Sequence, residues 1–185
     1  MKITHTDLEG LFLIQPTVHV DGRGFFMEVF NAHTFNQVGI GGVFVQHNQS
    51  HSPKNVIRGL HFQWDKPLGK LMRVVRGQAY MVAVDIRKNS PTRGKWEARE
   101  VSEENKIAFW APFGFATGFC ARTDNTDVEY YYSAFYNKDG ESNIVWNDAD
   151  FAIPWPIRDP ILSARDAGAQ SFREWLSRPE SNFIT

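Results

Sequence analysis

The sequence predicts an all-β chain, an antiparallel sandwich or barrel of the jelly-roll kind, and three observations carry that prediction. Short runs rich in Val, Ile, Phe and Tyr are bounded by Gly, Pro, Asn and Asp. The runs recur at roughly 8–12 residue intervals with turn signals between them. Nothing resembles the alternating strand and helix pattern that a parallel sheet requires.

In chain order, strands are expected at residues 11–14 and 25–30, followed by a short helix at 32–37. Further strands are expected at 43–48, 70–76, 78–86, 95–101, 107–110 and 128–135, each an apolar or aromatic stretch closed by turn formers. The 78–86 run, QAYMVAVDI, has few polar interruptions, as a strand at the centre of a sandwich should. A second short helix is expected at 170–176, where Phe172, Trp175 and Leu176 sit at helical spacing. Such a double sheet has an interior wide enough for a small ligand, so function is expected inside it or at its mouth.

At about 150 residues per domain, the 185 residues are expected to form one domain spanning 1–185. Hydrophobic residues at 42% and charged residues at 22% supply a core and exclude a disordered chain. The net charge of -1 provides no global field toward a nucleic-acid polymer or an anionic membrane. An anionic ligand must therefore meet locally placed cations. The single cysteine, Cys120, excludes an internal disulfide and a thiolate metal site. The opening MKITHTDLEG holds no apolar leader, and no run approaches the ~18 apolar residues of a membrane span, so a cytoplasmic location is expected. Aromatic residues at 14% exceed ordinary usage, and besides filling a core they can line a site that stacks sugars or bases.

All six histidines, His5, His19, His33, His47, His51 and His61, lie in the first third of the chain, so a histidine base must come from this set. The H-x-H spacing of a jelly-roll metal site is absent. His47 and His51 lie on a strand running into a loop, where four residues span about 13 Å, too far to share an ion. No metal is expected. In Arg58-Gly59-Leu60-His61-Phe62-Gln63 the glycine brings the backbone close to something, and His61 and Gln63 share a strand face. Lys70 follows a Pro67-Leu68-Gly69 turn and can return beside His61. Together these supply a base, an oxyanion stabiliser and a phosphate anchor. A core histidine flanked by surface cations fits the local pattern at least as well. Arg23, in the Asp21-Gly22-Arg23-Gly24 turn, is either a solvated turn residue or an anion ligand. Tyr130 and Tyr132 share one strand face, with Tyr136 beyond; packing explains two of them, and a phenol in a polar cavity can donate a proton.

Taken together, six ordered blocks resemble the dTDP-4-dehydrorhamnose 3,5-epimerase family. They are D-x-R-G-F-F-x-E at 21–28, Q-x-N-x-S at 46–50, R-G-L-H-F-Q at 58–63, G-K at 69–70, V-D-I-R-x-x-S-P-T at 84–92, and W-N-D, W-P and L-S-x-x-D within 146–166. The resemblance implies a cofactor-free, metal-independent cupin jelly roll that forms a homodimer. It implies a nucleotide-linked, most simply dTDP-linked, 4-keto-6-deoxy sugar as substrate, with inversion of the carbons flanking the ketone. By similarity His61 is the base, Asp166 orients and charges it, Lys70 stabilises the enolate, and Tyr130 returns a proton from the opposite face. Arg58 is implied near the phosphates or sugar and Tyr136 near the sugar ring. Arg23, Phe26, Glu28, Gln46 and Asn48 match nucleotide- and substrate-binding positions, some reaching across the dimer.

The chain departs from the family where G-F-A-H-G-F is usual, because Thr117 replaces the histidine; the family's F-D-V and Q-D-N also read Tyr80-Met81-Val82 and Gln46-His47-Asn48. A threonine at a substrate-binding position cannot shuttle a proton near neutrality. The Thr117 change motivates a narrower reading, inversion of one centre only or use of a related keto sugar. A 3,4-ketoisomerase would not need a tyrosine on the opposite face. A silent sugar-nucleotide-binding cupin would not need the set of His61, Asp166 and Lys70.

Overall fold

The computed structural model describes residues 1–41 and 44–185. The chain opens with strands β1 (Lys2–His5) and β2 (Phe12–Gln15), then a hairpin of β3 (Val18–Asp21) and β4 (Gly24–Met27). Helix α1 (Ala32–Gln37) precedes β5 (Gln46–Ser52), β6 (Ile57–Gln63), β7 (Lys70–Arg76) and β8 (Gln78–Asp85). Next come β9 (Trp96–Ser102), β10 (Ala108–Ala111), β11 (Phe115–Ala121), β12 (Thr126–Tyr132) and the short β13 (Glu141–Asn143). Helices α2 (Ala164–Ala167) and α3 (Phe172–Ser177) and a 3-10 turn at Pro179–Phe183 close the chain.

One sheet has the order β1, β2, β10, β7, β12, β5, and the other the order β13, β6, β11, β8, β9, with antiparallel pairing throughout. Sequence-distant strands pair within each sheet, which is the double-sheet jelly roll of the cupin type that the sequence predicted. Between the sheets lie Met72, Val74, Met81, Phe109, Phe119 and Val128, drawn from both. A second apolar layer backs the five-stranded sheet, where Val82, Val84 and Leu60 meet Phe151, Phe172, Trp175 and Ile184 of the C-terminal segment. A third backs the six-stranded sheet, where Phe35 of α1 packs near Phe12, Leu71 and Trp110. β8 therefore buries Met81 on one face and Val82 on the other, which is why its sequence runs apolar without alternation.

Boundaries moved where side chains do something other than fill a core. The strand expected at 43–48 is β5, running further to Ser52; Val43 lies outside the described residues. The strand expected at 25–30 stops at Met27 as one arm of the hairpin, and the 170–176 helix starts two residues later, after the Ser171 cap. β11, FATGFCA, is buried along its whole length yet was not foreseen, because Gly, Ala and Cys carry little strand preference. Among the described residues no helix is long and apolar enough to cross a membrane.

Candidate active site

The interior turns from apolar to polar along the strands. On β7, alternate residues Val74, Met72 and Lys70 share a face, and on β12 Val128, Tyr130 and Tyr132 do the same. Lys70 and Tyr132 are cross-strand partners at the polar end. Across from them, β6 and β11 come unusually close. Gly59 has φ +139, and a Cβ there would sit 2.5 Å from Gly118 Cα and 3.0 Å from Thr117 O. This is the close backbone approach that the glycine of R-G-L-H-F-Q predicted, and it sets Thr117 opposite His61 in register.

His61 Nε2 lies 2.6 Å from Asp166 Oδ1. Asp166 sits in the first turn of α2, capped by Ser163, whose Oγ accepts from the Asp166 backbone N–H at 3.1 Å. Burial by itself raises the Asp166 pKa, but the hydrogen bond from His61, the attraction of that ring when it is protonated, Ser163 and Arg165 outweigh it and hold the carboxyl below its usual range. An ionised carboxylate only accepts, which assigns the proton to Nε2 and leaves the Nδ1 lone pair free as a base.

Lys70 reaches from the six-stranded sheet to the five-stranded one. Its Nζ donates to the His61 carbonyl at 3.1 Å and to Thr117 Oγ1 at 3.1 Å, and lies 5.8 Å from the centre of the Tyr132 ring. Burial pulls its pKa down to about 8, with Glu141 opposing that shift and Arg165 adding to it. Tyr130 stands on β12 with its hydroxyl 3.0 Å from Ser50 Oγ. Burial pushes its phenol well up, more than the Ser50 bond brings it down, so it holds its proton near neutrality. Tyr132 is likewise pushed up to about 12 by burial.

β5 supplies a polar wall instead of a hydrophobic face. Gln46, Asn48, Ser50 and Ser52 alternate along it, the first two joined by a 3.0 Å bond from Gln46 Nε2 to Asn48 Oδ1. Gln46 Oε1 also accepts from the Tyr136 backbone at 2.9 Å. Arg58 donates from Nε to Ser52 Oγ at 3.0 Å and from Nη2 to the His51 carbonyl at 3.1 Å. Arg58, His61, Ser163, Arg165 and Asp166 together line an open cleft of about 380 Å³. His47 and His51 instead meet Glu129 at 3.6 Å and Asp127 at 2.6 Å, as separate pairs. Among the described residues no group of three or more His, Cys, Asp or Glu is arranged as a metal site.

Two further residues, Arg165 of the cleft and Glu141 bonded to it, are not marked out by the sequence. Glu141 Oε2 accepts from the Tyr136 hydroxyl at 2.7 Å and from Arg165 Nη1 at 2.6 Å, tying the loop after β12 to α2. Burial raises its pKa, but Arg165, Tyr136 and His61 outweigh that and hold it low. It lies on β13, a three-residue strand with no apolar pattern to reveal it. The residue before Asp166, Arg165, was hidden in the variable positions of L-S-x-x-D. Arg23, Phe26 and Glu28 are not brought to this cluster within one chain. Arg23 pairs with Asp21 at 2.7 Å, Glu28 accepts from Asn31 at 3.0 Å, and the hairpin forms its own two-stranded sheet.

Comparison with known proteins places the whole chain in one family. The family profile described as dTDP-4-dehydrorhamnose 3,5-epimerase matches residues 5–174. The dTDP-4-dehydrorhamnose 3,5-epimerase of Methanothermobacter thermautotrophicus is 45% identical over 176 residues, covering 94% of this chain and 95% of the relative. Among solved structures, the dTDP-6-deoxy-D-glucose-3,5-epimerase of Legionella pneumophila, in complex with dTDP-4-keto-L-rhamnose, is 40% identical with a TM-score of 0.92, covering 97% of this chain and 96% of that one. A 3'-monoepimerase from Streptomyces bikiniensis, in complex with dTDP-quinovose, is 31% identical with a TM-score of 0.87, covering 92% and 88%. By its sequence and by its fold, the chain belongs to the dTDP-4-dehydrorhamnose 3,5-epimerase family.

Proposed function

We propose that the chain inverts the carbons flanking the ketone of a dTDP-linked 4-keto-6-deoxy sugar, turning dTDP-4-dehydro-6-deoxyglucose into dTDP-4-dehydrorhamnose. The observation that carries this reading is the pairing of a base and an acid from opposite sheets, His61 on β6 and Tyr130 on β12, with Lys70 reaching between them. Inversion requires removal of a proton from one face and its return to the other. His61 Nδ1 takes the proton from the carbon beside the ketone, and the electron pair moves into the carbonyl to form an enolate. The Lys70 ammonium stabilises that oxyanion in a buried site, where a fixed charge acts more strongly than in water. Tyr130, still protonated at neutral pH, gives its proton to the opposite face as the carbonyl reforms. The imidazolium on His61 is stabilised by Asp166. The imidazolium then gives its proton to solvent and the tyrosinate takes one up, which restores base and acid for the next turnover, so the chemistry asks for no cofactor.

Arg58, Tyr136, Gln46 and Asn48 form the substrate wall in this reading, with Arg58 and Arg165 as the cations that meet the diphosphate. Arg23, Phe26 and Glu28 serve a partner's site. The hairpin bearing them exposes Val20 at 77% and Phe26 at 72%, and a lone hairpin in water is marginal, which supports a homodimer in which each hairpin reaches the other subunit. The whole chain then acts as one domain of a cytoplasmic homodimer, with Cys120 a buried thiol.

The test is proton NMR with dTDP-4-dehydro-6-deoxyglucose in deuterated buffer, following the C3 and C5 hydrogens separately. Loss of both signals with a rhamnose-configured product is expected. Loss of one makes the chain a mono-epimerase, the narrower reading that Thr117 motivates. Loss of neither refutes the assignment. The dimer is tested by mixing an Arg23→Ala chain with a His61→Asn chain: exchange of subunits restores activity only if hairpin and dyad serve one site from two chains.

A further inference from the structure

The ammonium of Lys70 has three N–H groups, and the structure accounts for two of them. One goes to the His61 carbonyl and one to Thr117 Oγ1, both at 3.1 Å. Among the described residues no carboxylate lies within ion-pair reach of Lys70. Thr117 is itself almost fully covered, 4% exposed, and its hydroxyl also reaches the His61 carbonyl at 3.4 Å. Its oxygen therefore accepts from the lysine while its proton is directed at that carbonyl, which commits the hydroxyl's one proton within the protein.

Resting on the epimerase reading, we infer that Thr117 is a positioning residue that aims the third Lys70 N–H at the substrate's keto oxygen, in place of the direct substrate contact expected from sequence. Three physical points carry this. A lysine side chain has four rotatable bonds and loses much rotamer entropy when held in one place, so an oxyanion donor on such a stem needs anchoring. The threonine supplies an anchor of restricted rotation, because its branched Cβ sits on β11 in register with His61. A hydroxyl also holds the ammonium without neutralising it, whereas a carboxylate at the same place would cancel the charge that the enolate needs. Base and oxyanion donor are thereby linked through one group, since Lys70 and Thr117 both bond the carbonyl of the residue that removes the proton.

Thr117→Val removes the hydroxyl at nearly constant shape, and Thr117→Ser keeps it. Losing one hydrogen bond to a charged group predicts a fall in kcat of about 10- to 100-fold for the valine variant with KM unchanged, and substantial rescue by serine. The second readout needs no substrate: the titration midpoint of Lys70, followed by NMR of isotopically labelled lysine. Burial, Glu141 from β13 and Arg165 from α2 act on that ammonium, and His61 from β6 and Tyr132 from β12 face it. They remain in the variant, so loss of the hydroxyl acceptor alone should move the midpoint below about 8. A rise in KM with kcat intact would restore Thr117 to direct substrate contact, and a serine variant as slow as valine would reduce it to packing. An unmoved midpoint overturns the proposal whatever the substrate proves to be. If instead the parent exchanges no substrate proton while the midpoint moves, the substrate assignment has failed and the anchoring role stands. Should the valine variant not fold, Thr117→Ala carries the same expectations.

Discussion

Two buried aspartates, each inside a block that the sequence singled out, end up with opposite roles. Asp85, in V-D-I-R-x-x-S-P-T, accepts from five donors: the Arg87 backbone at 3.0 Å, its Nε at 2.9 Å and Nη2 at 2.8 Å, Ser90 Oγ at 2.5 Å and Thr92 Oγ1 at 2.6 Å. Burial raises its pKa, and these bonds more than reverse that. Every partner belongs to the loop that follows β8, so the carboxylate is a staple for that loop. Asp166 instead spends its short bond on a side chain from another element, His61, whose second nitrogen stays free. A closed network holds shape, and a network with one open position at a cleft can do chemistry.

Exchanging the two neutral substitutions tests that contrast most severely. His61→Asn should lower proton exchange at C3 and C5 by about 10²- to 10⁴-fold, with the thermal unfolding midpoint close to that of the parent. Asp85→Asn should leave the rate per folded molecule intact but cost about 3–5 kcal/mol of stability, measured by denaturant unfolding. An inactive but stable Asp85 variant would show that the staple acts on the site. Tyr130→Phe comes next in size. Washout of substrate protons should survive, because His61 remains, while net inversion slows by roughly 10- to 100-fold through loss of the acid. Equal loss of both would contradict the two-face arrangement.

The contrast also shows what the sequence could reveal. The jelly roll was legible because β7, β8, β10 and β12 are apolar or aromatic runs with turns between them. β6 and β11 were harder to read, since Gly59 and Gly118 are there to let two backbones approach, and glycine weakens strand preference. β5 was misplaced because its inner face is Gln46, Asn48, Ser50 and Ser52, a site wall with no hydrophobic alternation. Helix α2 carried a capping signal, Ser163 three residues before Asp166, that was read only as part of a motif. The proximity of Lys70 to His61 followed from the turn at residues 67–69 and strand geometry. That of Glu141 did not, because a short edge strand is placed by its partner β6 and not by its own sequence.

Smaller effects concern charge at the cleft. The exchange rate should fall as pH rises through about 8, where Lys70 loses its proton and with it the charge that stabilises the enolate. Tyr130 titrates well above that range and does not contribute to this limb. Lys70→Arg should flatten the limb, because a guanidinium stays charged, at a reduced maximal rate.

The smallest predicted change is Glu141→Gln. The amide oxygen can still accept from Tyr136 and Arg165, so the link between the loop after β12 and α2 is kept, and only the charge is lost. Glu141 is the group that opposes the lowering of the Lys70 pKa, and Arg165 adds to it. Removing the carboxylate leaves the arginine unbalanced, so the ammonium becomes harder to keep and the alkaline limb moves below pH 8. Because charges inside proteins act through an effective dielectric near 20 even at buried sites, the rate at pH 8 should change by only about two- to threefold. A pH-independent fall of the same size would instead mean that Glu141 acts through the placement of Tyr136. Its role would then resemble that of Asp85 more than that of Asp166, although it is bonded to Arg165 of the cleft.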